Sequence, residues 1–277
     1  MNFTKMHGLG NDYVYIDCFR EKVPNPEKLA VLMSDRHFGV GGDGLVLIMP
    51  SDNADAGMRM FNADGSEAEM CGNAIRCVGK FLYEHRIVSQ DSITIETLAG
   101  VKHLQLEIVN NKVDSIRVDM GEPQLNPDLI PVNITAELVI AAPIEIKGRQ
   151  YLFTAVSMGN PHCIIFVPEI TDEMVLEDGP VIEVHQLFPR KTNVEFIKVI
   201  SKNLIVMRVW ERGSGETLAC GTGACASVVA AILNGLTEPV VTVKLRGGDL
   251  TVEWDKSTNH VYMTGPAVEV FRGEWLN

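Results

Sequence analysis

The 277-residue chain contains no stretch of 18 consecutive apolar residues, so no membrane-spanning helix is expected. It is poor in basic residues: 24 lysines and arginines stand against 36 aspartates and glutamates, a formal charge of −12. That balance argues against a nucleic-acid partner and against attraction to anionic membranes. It leaves room for a small-molecule partner, because a dipolar pocket fits inside an acidic shell. The first twelve residues have no charged-then-apolar leader layout, which makes a cytoplasmic protein the expectation. C-x-x-C spacing is absent among Cys18, Cys71, Cys77, Cys163, Cys220 and Cys225, and no His or Cys set completes a zinc site. The expectation is free thiols, no metal and no disulfide framework. Gly39, Gly41 and Gly44 match G-x-G-x-x-G literally, but a helix precedes them and a strand follows, the reverse of a dinucleotide fold.

What the chain does contain is one chemical phrase written twice. Gly65-Ser66-Glu67-Ala68-Glu69-Met70-Cys71-Gly72-Asn73 is echoed by Gly213-Ser214-Gly215-Glu216-Thr217-Leu218-Ala219-Cys220-Gly221-Thr222. Cys71 and Cys220 lie 149 residues apart, and so do Asn11 and Asn160 in the two Gly-Asn pairs. Two landmarks sharing one offset indicate a duplicated half, hence two domains joined near Met120–Pro131, where Gly121, Pro123, Pro127 and Pro131 interrupt the pattern.

Most of the chain reads as short strands: 13–19, 45–50, 92–96, 101–108 and 113–120, then 151–156, 163–167, 194–200, 204–210, 240–245 and 250–254. Helices are few. Asn25-Pro26-Glu27 starts one with a capping side chain, running to about Asp35. Residues 73–83 form a second with Ile75, Val78 and Leu82 on one stripe, and Thr171-Asp172-Glu173 caps a third. Residues 222–233 form a fourth, apolar on every side and therefore buried on every side. Strands before and after such a helix suggest a curled sheet wrapped around it.

Each duplicated cysteine immediately precedes a helix. Unpartnered N–H groups and the helix dipole there favour a thiolate, which predicts a pKa below about 8.5. The same N–H groups can cradle a carboxylate, and the glycine after each cysteine permits close approach. One cysteine per half supplies two acid/base groups for one carbon. Cys18, Cys77, Cys163 and Cys225 read as structural.

These residues resemble the diaminopimelate epimerase family over nearly the whole chain. The resemblance is carried by Met6-His7-Gly8-Leu9-Gly10-Asn11-Asp12, Arg36-His37-Phe38-Gly39-Val40-Gly41-Gly42-Asp43-Gly44, Phe61-Asn62-Ala63-Asp64-Gly65-Ser66, Cys71-Gly72-Asn73-Ala74-Ile75-Arg76-Cys77, Gly159-Asn160-Pro161-His162, Trp210-Glu211-Arg212-Gly213 and Ala219-Cys220-Gly221-Thr222-Gly223-Ala224-Cys225. It implies an α+β fold of two pseudo-symmetric lobes, residues 1–119 plus 266–277 and residues 120–265, each a curled, mostly antiparallel sheet or barrel around a central helix. It further implies a cofactor-independent, PLP-independent isomerase and a homodimer. Cys71 and Cys220 are then the catalytic thiols, and His162 and Glu211 assist them. Asn11, Asn62, Gly72, Asn73, Asn160, Asn193, Glu211, Arg212, Gly221 and Thr222 hold the substrate, diaminopimelate, with closure of the halves over it. Where some relatives carry glutamine after the Gly-x-Gly-x-Asp run this chain has Gly44, and a water or neighbour is expected to replace the lost contact. Other readings stay open: a racemase of proline, hydroxyproline or histidine, a binding protein on the same fold, or a carboxylate-based isomerase.

Overall fold

The computed structural model describes residues 1–276. The chain divides into two compact units, Met1–Asp119 with Thr264 onward, and Met120–Met263.

In the first unit β1 (Asn2–Gly8) and β2 (Asn11–Asp17) form an antiparallel hairpin whose turn holds Leu9 and Gly10 at positive φ. After α1 (Pro26–Ser34), β3 (Gly44–Met49) runs parallel to β2, and β4 (Ala56–Asn62) runs antiparallel to β3. The two-residue β5 (Glu67–Ala68) folds back on β4 and leads into α2 (Gly72–Glu84). β6 (Ser92–Thr97) then lies parallel to β4, and β7 (Gly100–Val109) and β8 (Lys112–Gly121) continue antiparallel. Asn110 and Asn111 both take positive φ in the β7–β8 turn, which few residue types other than asparagine and glycine do cheaply.

The second unit comprises β9 (Ala142–Ile146), β10 (Arg149–Ser157), β11 (Pro161–Phe166), α3 (Gly179–Glu183), β12 (Asn193–Ser201), β13 (Leu204–Glu211), β14 (Gly215–Glu216), α4 (Gly221–Leu233), β15 (Val240–Leu245), β16 (Gly248–Trp254) and β17 (Val261–Gly265). The last strand, β18 (Val268–Glu274), returns to pair antiparallel with β1. Pairing along β1-β2-β3-β4-β6-β7 alternates antiparallel, parallel, antiparallel, parallel, antiparallel. The series β10-β11-β12-β13-β15-β16 repeats that order step for step. The duplication extends to side chains: Arg59 pairs with Glu67 (2.6 Å) and Arg208 with Glu216 (2.8 Å), each pair 149 residues from its counterpart.

Both faces of the central strands are covered, so those strands read as continuous apolar runs. In β2, Val14 and Ile16 pack outward with Ala30 and Met33 of α1. Tyr15 points the other way, its hydroxyl 3.5 Å from the Ala74 carbonyl of α2. In β11 and β12, Cys163, Ile165, Val194 and Phe196 join the outer core with Ile182 and Phe188. The alternation leaves His162 and Glu195 on the opposite face, toward α4. Ile75, Val78 and Leu82 are all buried, and α4 is buried without a break from Gly223 to Ala231.

The fold differs from the sequence reading in places. Asn25 precedes α1 but makes no side-chain capping bond. The third helix begins as expected, with Thr171 Oγ1 accepting from the Met174 N–H (3.3 Å), but residues 174–178 form a π turn before α3. Pro180 has no N–H for an α-helical bond to Leu176, and Gly179 instead bonds five residues back to Met174. Strands β1, β4, β5, β9, β14, β17 and β18 were not predicted.

Candidate active site

Cys71 is the N-cap residue of α2, and Cys220 that of α4. Both have extended backbone, φ −135 and −116, before helices of the same length, 13 residues. A two-residue strand and a glycine on the far side of each cysteine hold it at the point where chain turns into helix.

In the first unit, the half-buried Cys71 places its Sγ 3.4 Å from Asn11 Oδ1. Asp43 fixes which end of the Asn11 amide faces the sulfur, because its Oδ2 accepts from Asn11 Nδ2 (2.8 Å) and from the Asp12 N–H (3.0 Å). Arg36 in turn bonds Asp12 Oδ1 (2.8 Å) and Asp43 Oδ1 (2.9 Å), and Lys5 bonds Asp12 (2.6 Å) and the Gly41 carbonyl. Asn62 ends β4, its Nδ2 donating to Ser66 Oγ (3.0 Å). Asn73 is buried, with its side-chain oxygen taken by Arg76 Nη2 (2.9 Å). Its side-chain oxygen is thereby engaged within the helix start.

In the second unit Cys220 is only 5% exposed. The Gly223 N–H donates to its Sγ (3.4 Å) and Thr222 Oγ1 lies 3.5 Å away. These contacts favour a thiolate, as the helix-start argument expects. They are outweighed: burial, then the neighbouring Glu211 and Glu195 carboxylates, push the Cys220 thiol well above its ordinary pKa. The expectation of a lowered pKa is corrected for this cysteine, which rests as a neutral thiol.

Glu211 ends β13 and accepts from Thr217 Oγ1. Burial, with help from Glu195, raises its pKa, against opposing pulls from Thr217, His162 and Cys220. A carboxylate so raised beside a thiol is a competent proton acceptor. His162 is fully buried, Nδ1 2.7 Å from Glu195 Oε1 and Nε2 3.0 Å from Asn160 Oδ1. Asn193 is buried with both amide ends engaged: Nδ2 donates to the Pro161 carbonyl (2.9 Å), and Oδ1 accepts from the Arg212 N–H (2.9 Å). It anchors the turn that carries Glu211 and Arg212. Glu183 does the same from α3, accepting from Trp210 Nε1 (2.8 Å) and the Gly213 N–H (3.1 Å). Arg212 itself is exposed, its guanidinium donating to the Arg190 carbonyl (3.3 Å); no carboxylate of the described residues pairs with it.

Within the first unit Asn11 and Cys71 meet, while in the second Asn160, His162, Glu211, Thr222 and Cys220 belong to one connected set. Asp43, Glu183 and Glu195 were missed as functional residues. Glu195 left a signal: it is the one charge in the otherwise apolar run Val194-Glu195-Phe196-Ile197 that opens β12. Cys77, Cys163 and Cys225 are fully buried, and burial first of all raises the thiol pKa of Cys77 to about 11 and pushes that of Cys163 well above its ordinary value. Gly44 has no space for a side chain, since a Cβ there would lie 2.1 Å from the Phe61 carbonyl oxygen. Among the described residues no group of three or more His, Cys, Asp or Glu is placed to hold a metal, and no helix is long and apolar enough to cross a membrane.

The family model described as diaminopimelate epimerase matches residues 3–126 and 154–270. Similar curated proteins include the diaminopimelate epimerases of Acetivibrio thermocellus, 57% identical over 99% of this chain and 98% of the relative. Those of Methanococcus maripaludis and Pelotomaculum thermopropionicum are each 59% identical over 99% of both chains. Among solved structures, a PhzF-family phenazine biosynthesis protein from Bacillus anthracis aligns with a TM-score of 0.71 at 18% identity, over 100% of this chain and 99% of that one. A hydroxyproline epimerase from Agrobacterium vitis aligns with a TM-score of 0.70 at 15% identity, over 99% and 90%. At such identities the two structures speak for the α+β fold alone. The identity to curated relatives and the span of the family model show that the chain belongs to the diaminopimelate epimerase family.

Proposed function

We propose that this protein interconverts LL- and meso-diaminopimelate without a cofactor, by two-thiol acid/base chemistry at one α-carbon, in lysine and peptidoglycan precursor synthesis. The observation that supports this most is the doubled helix start: Cys71-Gly72 and Cys220-Gly221, each an N-cap cysteine before a buried 13-residue helix.

In one direction Cys71, as thiolate, takes the α-proton. The C–H electron pair moves onto the substrate carboxylate, where N–H groups around Gly72-Asn73 and Gly221-Thr222 receive the charge. Cys220, as thiol, returns a proton to the opposite face. In the reverse direction Glu211 first accepts the Cys220 proton, the step its raised pKa favours. Positioning contributes about 7–11 kcal/mol to such a reaction, and fixed dipoles in a site shielded from water supply the remainder. Arg212 has no carboxylate partner among the described residues and suits a bidentate grip on a substrate carboxylate. Asn11, Asn62, Asn160 and Asn193 complete the binding set. The enzyme works in the cytoplasm and as a homodimer; light scattering checks the dimer by a mass of twice the 30.5 kDa chain.

The deciding experiment is α-proton exchange in heavy water with LL- and meso-diaminopimelate, alongside proline, hydroxyproline and histidine. Exchange and epimerisation of diaminopimelate alone are expected. Cys71→Ala and Cys220→Ala are each expected to abolish epimerisation with the fold intact; full turnover by either variant rules out the two-thiol mechanism.

A further inference from the structure

The two units share one plan, so the positions where they differ are informative. Counting back 149 residues from His162 and Glu195 gives Tyr13 and Val46. The registers agree: Ile164 faces Glu195 across β11–β12 as Tyr15 faces Val46 across β2–β3. Val46 is fully buried. The plan therefore folds with valine where the second unit buries a carboxylate, at a cost of several kcal/mol unless that charge is paired. Glu195 is fully buried, its Oε1 on His162 and its Oε2 without a hydrogen-bond partner.

The ring of His162 meets two acceptors, Glu195 Oε1 at Nδ1 and Asn160 Oδ1 at Nε2. With Glu195 ionised, neutral imidazole, with its one N–H, serves only one of them, and imidazolium serves both. An imidazolium with Nε2–H on Asn160 Oδ1 turns the Asn160 amide nitrogen away from the ring. In the first unit, Asp43 takes the amide nitrogen of Asn11 and leaves its oxygen toward Cys71. The duplicated asparagines are thus held in opposite senses, one presenting an acceptor and the other a donor.

We propose that Glu195 is a positioning residue: it holds His162 as an imidazolium, and His162 locks the Asn160 amide with its NH2 presented to a substrate carboxylate. The donor-facing Asn160 suits an anionic group, and the acceptor-facing Asn11 suits an ammonium. Other titratable groups facing this pair are Glu211 on β13 and Cys220 at the start of α4, while Cys163 on β11 lies on the opposite face of the sheet and feels the Glu195 charge through it. In Glu195→Gln an amide replaces the cation's partner, and a ring with a single N–H on Nδ1 fits that amide's oxygen. The ring's bare Nε2 then accepts from Asn160, whose amide flips its oxygen toward the substrate. The substrate part of this inference rests on the proposed function; the state of His162 does not.

The test uses histidine labelled with 15N in the intact protein, read at about pH 7, with steady-state kinetics on diaminopimelate. Wild-type His162 is expected to show both ring nitrogens protonated, and Glu195→Gln a single protonated nitrogen. KM in Glu195→Gln is expected to rise about 10- to 100-fold, the effect of presenting a mismatched polar group to a charge, with a smaller change in kcat. Glu195→Asp restores the imidazolium signal. In an Asn160→Ala background, Glu195→Gln is expected to add no further KM effect. A neutral His162 ring in the wild type overturns the proposal, as does Glu195→Gln with unchanged ring signals or unchanged KM. A melting temperature that falls while ring signals and KM stay put assigns Glu195 a packing role and also overturns it. Absence of turnover by the wild type would sink the proposed reaction while the ring signals still decide the state of His162.

Discussion

At the scale of single residues, the two thiols occupy equivalent places in unlike surroundings. Cys71 is half-buried beside an amide oxygen, and Cys220 is buried beside two carboxylates. The helix start alone predicts a stabilised thiolate at both, but at Cys220 burial, and then the neighbouring carboxylates, outweigh the helix dipole. Iodoacetamide labelling followed by mass spectrometry is expected to modify Cys71 first. Labelling of Cys220 is expected to stay far from complete at about pH 8.5, the ordinary thiol pKa, and to grow as pH rises further. Rapid labelling of Cys220 at neutral pH would contradict the raised pKa. Glu211 is a second test. Its folded pKa lies above its unfolded one, so the folded state is strained once pH exceeds the unfolded value and the group must ionise. Glu211→Gln is expected to raise the denaturation midpoint at neutral pH while lowering kcat about a hundredfold or more; a loss of both stability and activity would show that the carboxylate is needed for folding. Asp43→Ala frees the Asn11 amide and is expected to slow turnover about tenfold, a change measurable with no loss of secondary structure by circular dichroism.

At the scale of elements, α4 and the strand pair β3–β4 show how tightly the site is framed. Ala230 is fully buried in α4, a helix with no polar face. Ala230→Leu is expected to cost about 1–3 kcal/mol by urea denaturation, the usual penalty for overpacking. Gly44 sits where β3 passes close to the Phe61 carbonyl, so Gly44→Ala is expected to cost at least as much. A neutral result at either position would mean that the neighbouring backbone gives way easily. The helices were legible because their signals are local: a proline at the start, an apolar stripe, an Asn-Gly stop. The unpredicted strands lack such signals. β4 reads Ala-Gly-Met-Arg-Met-Phe-Asn, with little β-branching and no clean alternation, and becomes a strand because β3 and β6 pair with its two edges. β18 is largely exposed along its side chains and owes its place to β1, more than 260 residues earlier in the chain.

At the scale of the whole molecule, the chain is a duplication in which both copies keep the framework and diverge at the chemistry. The strand order, the N-cap cysteines and the Arg59–Glu67 and Arg208–Glu216 bridges are common to both. His162, Glu195 and Glu211 occur in one copy only, opposite Tyr13, Val46 and Asn62. Framework charges also set the acid limit of stability. Burial raises the pKa of Asp12, but Arg36 and Lys5 pull it below the ordinary carboxylate value; Arg59 does the same for Glu67. Groups with depressed folded pKa values stabilise fully above their unfolded values and lose that contribution as pH falls through the folded ones. The melting temperature is therefore expected to hold down to about pH 5 and to drop below about pH 4. Asp12→Asn is expected to flatten the drop, and an unchanged acid profile would show that Asp12 carries little of it.

The duplication, the buried helices, the cysteines at helix starts and the family were all present in the order of residues, because each is a local pattern or a repeat at fixed offset. The sense in which each asparagine is held, the neutral state of Cys220 and the partner of His162 were not. Those depend on which side chains from distant strands share one face of a sheet, and on how little water reaches them, and only the folded chain determines either.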